Sequence, residues 1–136
     1  LRIDNSETME YQMDDEMEFS LTFRAAVPES CCRLRLVLIN NAAAPVAMTQ
    51  TEEFSVCAGD EKTLRVRFPL DNIAPGEFSI QLSLVGGDPR GRSLYYDTLE
   101  DVGHFVIVDD PARTAGFLWT ESLWGNMRLR EMELMG

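Results

Sequence analysis

An unbroken alternation of apolar and polar side chains runs through residues 78–84, FSIQLSL, and it constrains the fold more than any other feature of the chain. The apolar side chains are Phe78, Ile80, Leu82 and Leu84, and the polar ones are Ser79, Gln81 and Ser83. Successive side chains of a β-strand point to opposite faces. The stretch therefore predicts a strand with one face in a core and an uncharged polar face on its other side.

The same period of two recurs along most of the chain. It predicts inward-facing side chains at Met17, Phe19, Leu21, Phe23, Leu34, Leu36, Leu38, Leu64, Val66 and Phe68. Two further strands are expected within residues 92–99 and 103–110, and the connections are rich in Gly, Pro, Asn and Asp. Strands spaced by roughly 8–15 residues without helical patterning predict an all-β fold, an antiparallel immunoglobulin-like β-sandwich of about seven to eight strands. A closed barrel is the alternative, and "immunoglobulin-like" refers to architecture only, because the disulfide of those domains is missing.

Length and charge limit the classes of partner. The 136 residues are enough for one domain with its own core, without a metal or a disulfide to stabilise it. Lys and Arg number 12 and Asp and Glu 23, which gives a net charge of −11. This charge repels phosphate backbones and anionic lipid surfaces, so we expect no nucleic-acid binding and no direct membrane adsorption. Neutral partners such as sugars are compatible with it.

Cysteine usage and the chain ends bear on cellular context. Cys31, Cys32 and Cys57 form neither a disulfide framework nor a zinc motif, and we interpret them as reduced, semi-buried thiols of a cytosolic protein. A redox switch at Cys31 and Cys32 is the alternative. No apolar run is long enough to cross a bilayer, and the first residues do not form a signal peptide. A start without Met suggests a piece of a longer protein.

Enzymatic chemistry has little support in the sequence. Phosphate-binding, dinucleotide-binding and nucleophile-elbow motifs are absent, and His104 is the single histidine. Acidic clusters at 14–16, 97–101 and 109–110 lack the spacing of a calcium loop and fit solvated turns better. We therefore expect no catalytic residues, no metal and no cofactor.

The polar face of residues 79–83 is the best candidate for a binding site. Hydroxyls and amides both donate and accept hydrogen bonds, which suits a hydroxyl-rich ligand held on a rigid sheet. Arg35 is expected beside this face if its strand belongs to the same sheet, and Tyr95 is a candidate for stacking on a sugar ring. The alternative, which the pattern alone favours, is an ordinary solvent-exposed face.

The C-terminal segment differs from the rest. We expect a sandwich core over residues 1–110 and a strand or tail over 111–136, with residues 127–135 either helical or extended. This segment is rich in Trp and Leu and either caps its own sandwich or adds to the sheet of a second copy, which we favour. The candidate dimer contacts are Phe117, Trp119, Leu123 and Trp124.

Taken in the order in which they occur along the chain, several segments resemble those of one family. It is the Wzt-type domain, the C-terminal carbohydrate-binding domain of the ATPase subunits of O-antigen polysaccharide ABC exporters. The resemblance covers about 110 residues, and its segments are MDDEMEFSLTFRA, LVLINNAAAPVAMTQT, IAPGEFSIQLSLVGG, LYYDTLEDVGHFVIVDD and GFLWTESLWG. Phe78 stands where the family has an aromatic residue, and Gly116 and Trp124 match its closing signature. No pocket motif is present onto which the sugar-binding residues of the family could be carried.

The resemblance implies a non-catalytic β-sandwich that binds the terminal part of a lipid-linked polysaccharide before export. It implies a homodimer formed by C-terminal strand exchange, and an ATPase domain upstream that contacts a transmembrane exporter subunit. The location would be cytoplasmic, peripheral to the inner membrane. Within this interpretation the polar contacts to the glycan are Arg35, Ser79, Gln81 and Ser83, with Tyr95 stacking on a ring. The alternative function is a structural or protein-interaction β-sandwich without a sugar ligand.

Overall fold

The computed structural model describes residues 2–4, 10–12, 14–25, 28–87, 94–99, 103–108, 119–129 and 132–135. Ten strands and one short helix lie within these ranges. They are β1 Arg2–Asp4, β2 Glu10–Gln12, β3 Glu16–Arg24, β4 Glu29–Asn40, β5 Pro45–Gln50, β6 Phe54–Val56, β7 Glu61–Pro69, β8 Gly76–Gly86, β9 Leu94–Leu99, β10 His104–Val108 and α1 Glu121–Trp124.

The strands form two sheets. The smaller sheet has the order β1-β3-β7, and the larger has the order β2-β10-β8-β4-β5, with β6 also paired to β4 and β9 to β8. All neighbours are antiparallel except β2 and β10, which are parallel. The prediction of an all-β sandwich is confirmed. The described part contains more strands than expected, because β1, β2 and β6 are three-residue pairings too short to show an alternation.

The core lies between the two sheets and consists of the side chains that the alternation places inward. From the smaller sheet it contains Met17, Phe19, Leu21 and Phe23, and from the larger Leu34, Leu36, Leu38, Phe78, Leu82 and Leu84. Phe78 stacks on Phe105 of β10 with ring centroids 5.5 Å apart, and Tyr11 of β2 meets Phe105 edge-on. Facing strands of different sheets thus bury their apolar faces against each other, as a sandwich requires.

The inward side chains of β7 are an exception to full burial. Leu64, Val66 and Phe68 point to the core as predicted, but they are only half-buried. The reason is position, since β7 is at the edge of the smaller sheet and, among the described strands, pairs only with β3. Lys62, which shares their face, reaches over Phe54 of β6 at 4.8 Å from the ring centroid and donates to Ser55 O. An inward-pointing charge of this kind discourages strand pairing at that end of the edge.

The C-terminal segment contacts its own sandwich. Thr120 O accepts the first backbone bonds of α1, and the chain then reverses at Gly125, whose φ of +79° is favourable only for glycine. Asn126 follows and accepts from Ala74 N through its backbone O and from Asn40 Nδ2 through Oδ1. Met127 forms an isolated bridge with Ile73, and residues 128–129 and 132–135 are neither helix nor strand.

Three predictions concern the cysteines, membrane-spanning segments and the C-terminal segment. Cys32 is buried in the core and Cys31 is half-buried, whereas Cys57 is exposed, and none of the three takes part in a disulfide. No helix among the described residues is both long and apolar enough to cross a membrane. Exchange of residues 111–136 with a second copy stays a prediction.

Candidate functional site

Pairing of β4 with β8 places the predicted site residues on one face of the larger sheet. Side chains at directly paired positions of antiparallel strands share a face. Arg35 pairs with Ser83, Val37 with Gln81, and Ile39 with Ser79, all on the side opposite to the core. Arg35, Ser79, Gln81 and Ser83 therefore lie together on this outer face, with Val37 and Ile39 between them.

A row of four polar residues crosses the sheet at the level of Arg35. Arg35 pairs with Gln50 of β5 on one side and with Ser83 on the other, and Ser83 pairs with Thr98 of β9. We call Gln50, Arg35, Ser83 and Thr98 the polar row. The sequence pattern did not indicate Gln50 or Thr98, because β5 and β9 show only weak alternation and their register is not a local property.

Hydrogen bonds hold the polar row in place. Arg35 donates from Nε and Nη2 to Gln50 Oε1 at 3.3 and 3.2 Å. The hydroxyls of Ser83 and Thr98 lie 3.2 Å apart. Ser83 is only 4% exposed, Arg35 is half-buried, and Gln50 and Thr98 are exposed. The row thus presents a guanidinium and an amide whose orientation is set by neighbours, which lowers the entropic cost of ordering them around a ligand.

The other predicted contacts lie in different surroundings. Gln81 and Ser79 are half-buried, and Ser79 also pairs with His104, which is exposed on β10. Gln81 is flanked by Val37, and Met48 lies beyond Val37 on β5 with 58% exposure. This part of the outer face mixes amide and hydroxyl groups with apolar ones. Such a mixture suits a ligand with both apolar and hydroxylated surfaces.

Tyr95 is on β9 and pairs with Val85, which is two residues beyond Ser83 along β8. Its side chain lies outside the described part of the chain. The stacking role of Tyr95 stays a prediction.

Of the predicted dimer residues, Leu123 and Trp124 are in α1 and Trp119 precedes it by two residues. Phe117 is outside the described residues. Trp119 is half-buried and donates from Nε1 to Gly125 O at 2.8 Å, and its ring meets Trp124 edge-on at 5.6 Å. Trp124 is 49% exposed and Leu123 72% exposed. Two large apolar side chains are therefore presented to solvent next to a tryptophan that its own segment anchors.

A cavity opens at the edge of the sandwich, between β5 of the larger sheet and β7 of the smaller. We call it the edge crevice, and its volume is about 360 Å³. Its walls are Phe19, Val66 and Phe68 from the smaller sheet and Leu34 and Leu36 from the larger. Its lips are polar, with Thr49, Gln50, Thr51 and Glu52 on one side and Arg65 and Arg67 on the other. Gln50 belongs both to this lip and to the polar row.

Among the described residues, no three His, Cys, Asp or Glu side chains are close enough together to hold a metal ion. The ion pairs of β7 with β3, Arg65–Glu18 at 3.3 Å and Arg67–Glu16 at 3.6 Å, are largely exposed. What the outer face and the edge crevice offer is hydrogen bonding beside apolar surface, which is the chemistry of binding.

The comparisons with known proteins bear on the fold. No protein-family model matches the chain, and no curated protein matches it. Among solved structures, the crystal structure of the C-terminal domain of Wzt matches with a TM-score of 0.72 at 12% sequence identity, over 96% of this chain and 75% of that one. A match of this extent at so low an identity establishes a common architecture. The chain has the fold of the C-terminal domain of Wzt, which is the fold that the sequence resemblance implied.

Proposed function

We propose that the chain is a non-catalytic carbohydrate-recognition domain of the ATP-binding subunit of a polysaccharide ABC exporter, with the outer face of the larger sheet as its glycan-binding surface. The observation that carries the proposal is the polar row, because it joins two predicted contacts, Arg35 and Ser83, to two further hydrogen-bonding residues. The shared fold with the Wzt C-terminal domain supports the exporter context.

Recognition would depend on several hydrogen bonds from a rigid surface. Arg35 donates toward a sugar hydroxyl while Gln50 holds its guanidinium. Gln81 and Ser79 supply an amide and a hydroxyl next to Val37 and Ile39, against which the apolar face of a ring packs. The net charge of −11 does not oppose a neutral glycan, whereas it disfavours polyanions.

Titration of the chain with the O-polysaccharide of its host, and with a glycan array, tests the proposal. We expect Arg35→Ala to weaken binding by about tenfold or more and Gln81→Ala by about threefold to tenfold, from the usual contributions of charged and neutral hydrogen bonds. Arg24→Ala is the matched control, because Arg24 is an exposed arginine on the smaller sheet, paired with Glu61. Absence of binding at millimolar glycan to the folded chain would rule the proposal out, as would an equal loss in the Arg24 variant.

The proposal includes a homodimer formed through residues 111–136 and a cytoplasmic location beside the inner membrane, reached through an ATPase domain and its transmembrane partner. Exposure of Leu123 and Trp124 supports a protein contact at this segment. A chain truncated after Asp110 is expected to have the mass of a monomer in solution, and the full chain that of a dimer. Equal masses would remove strand exchange from the proposal.

The second candidate function is a protein-interaction β-sandwich without a sugar ligand. The observation that favours it is the set of exposed apolar side chains in the C-terminal segment: Leu123, Trp124, Met127, Leu129, Met132, Leu134 and Met135. Exposed apolar patches of this kind mark contact sites. Self-association without glycan binding would favour this candidate over the first.

A further inference from the structure

We propose that the edge crevice is a second binding site, which takes one neutral hexopyranose ring between the two sheets. The inference rests on the proposed function, since the ring would belong to the same glycan that lies on the outer face. It adds a subsite that lies inside the edge of the sandwich and not on the polar face predicted from sequence.

Apolar side chains along the edge crevice are incompletely covered. On β3 the inward residues Met17, Phe19 and Leu21 are buried, whereas Val66 and Phe68 on the neighbouring β7 are only half-buried. On the β5 side both side chains line the edge crevice. A cavity of about 360 Å³ lies within the ~300–1,000 Å³ range of small-molecule sites. The space suits a ring and not a large ligand.

The lip of the edge crevice carries polar groups that suit a sugar ring better than an acyl chain. Thr49 pairs with Leu36 and so points between the sheets, which brings a hydroxyl to apolar walls. The Thr51 hydroxyl is engaged, because it accepts from Leu34 N and donates to Glu52 O. Gln50 uses its Oε1 for Arg35 and keeps amide hydrogens that can donate. An acyl chain would desolvate the Thr49 hydroxyl without giving it a partner, which is costly. A pyranose fits better, because its faces are apolar and its perimeter carries hydroxyls.

The positive charges at the edge crevice are matched by nearby carboxylates. Arg65 and Arg67 on the opposite lip are each matched by a glutamate of β3, and Glu52 lies on the near lip. The edge crevice therefore has no surplus of positive charge, and the whole chain carries −11. This balance favours a neutral ring over a uronate or a phosphate.

The edge crevice adjoins the outer face. The polar row runs from Thr98 through Ser83 and Arg35 to Gln50, and Gln50 is also part of the lip. A glycan bound along the row would reach the edge of β5 at the point where the edge crevice opens. The row and the crevice thus meet at Gln50.

Methyl-resolved NMR of the wild-type chain tests the inference directly. The probes are the methyl glycopyranosides of glucose, galactose, mannose and rhamnose, with glucuronate and octanoate as the anionic and the acyl comparison. At least one neutral glycoside is expected to shift the methyl signals of Leu34, Leu36 and Val66. The inference is overturned if no neutral glycoside shifts them at 50 mM or below, or if octanoate or glucuronate alone does.

A pair of substitutions at Thr49 gives an independent test. Thr49→Phe fills the edge crevice and is expected to reduce affinity for the active glycoside at least tenfold, whereas Thr49→Val removes the hydroxyl at constant size and should cost about twofold to fivefold. Thermal melting shows whether each variant is folded, and the wild-type NMR titration decides the matter if Thr49→Phe is not.

The polysaccharide titration separates this inference from the proposed function. If the wild-type chain binds polysaccharide and Thr49→Phe binds it equally well, the edge crevice is not a subsite and the outer-face proposal stands. If the polysaccharide does not bind the wild-type chain, the proposed function fails, and the ring subsite fails with it as part of that glycan site.

Discussion

Replacement of Leu82 by alanine tests whether the two faces of β8 differ as the structure describes. Leu82 is 1% exposed and belongs to the core cluster, while the adjacent Gln81 is half-buried on the outer face. Both positions lie in the centre of β8, which has β4 on one side and β9 and β10 on the other. Gln81→Ala is therefore a control at the adjacent position of the same strand, on the opposite face.

The size of the effect follows from the atoms removed. Leu82→Ala deletes three carbons, and at about 0.8 kcal/mol for each buried methylene this loses ~2.4 kcal/mol of transfer free energy. A cavity term adds to this, because a residue hydrogen-bonded between two neighbouring strands cannot move to refill the space. We expect a total loss of about 3–4 kcal/mol in the free energy of unfolding, within the ~2–5 kcal/mol found for such changes. For Gln81→Ala we expect a change within about 0.5 kcal/mol.

Urea denaturation followed by far-UV circular dichroism measures both values. With a slope of about 2 kcal/mol per molar urea, the midpoint of Leu82→Ala should fall by about 1.5–2 M. The midpoint of Gln81→Ala should move by about 0.25 M or less. If the two variants lost similar stability, or if Leu82→Ala lost less than about 1 kcal/mol, the assignment of the two faces of β8 would be wrong.

Three further predictions concern the C-terminal segment and the surface. Asn126→Ala removes the acceptor for Asn40 Nδ2 at 2.9 Å and should cost about 1 kcal/mol in chemical denaturation, and an unchanged midpoint would contradict this. Gly125→Ala places a side chain at φ +79° and ψ −155°, which should destabilise this turn by about 1–3 kcal/mol. The near-UV circular dichroism of the tryptophan pair should decrease as a result. Apart from its chain neighbours, no described residue has an atom within 4 Å of the added Cβ, so an unchanged spectrum would show that backbone strain is absent. Arg65→Ala breaks an ion pair with Glu18 whose side chains are 77% and 57% exposed, and should lower stability by less than about 0.5 kcal/mol. Thermal melting at low and high salt measures this loss, and a loss above about 1 kcal/mol would show that the pair contributes more than its exposure suggests.

The alternation along the chain was sufficient to predict the sandwich and most of its core. Leu34, Leu36 and Leu38, for example, are buried as their spacing indicates. The sequence was less informative about β7, whose Leu64, Val66 and Phe68 have the same pattern yet are only half-buried. An edge strand and a central strand of a sandwich share one alternation, because the pattern records which face points inward and not how many neighbours the strand has.

The sequence pattern predicted part of the candidate site. Ser79, Gln81 and Ser83 follow from one strand, and Arg35 was expected beside them only if two strands belonged to the same sheet, which they do. It could not reach Gln50, because nothing in the short strand β5 reveals its register against β4. Leu123 and Trp124, which are exposed on α1, were singled out in the sequence. The contact of Asn126 with Asn40, 86 residues apart, has no local signal.

The sequence by itself therefore determined the class of fold, the inward side chains and the uncharged polar face of β8, because each depends on local alternation and on the drive to bury apolar surface. The tertiary structure alone decided the polar row and the edge crevice. The polar row depends on the order β9-β8-β4-β5, in which β4 and β8 are neighbours although three strands separate them along the chain. The edge crevice depends on two edge strands, β5 and β7, that come from different sheets. Pairing over such separations is set by the packing of the whole domain, and no short stretch of residues encodes it.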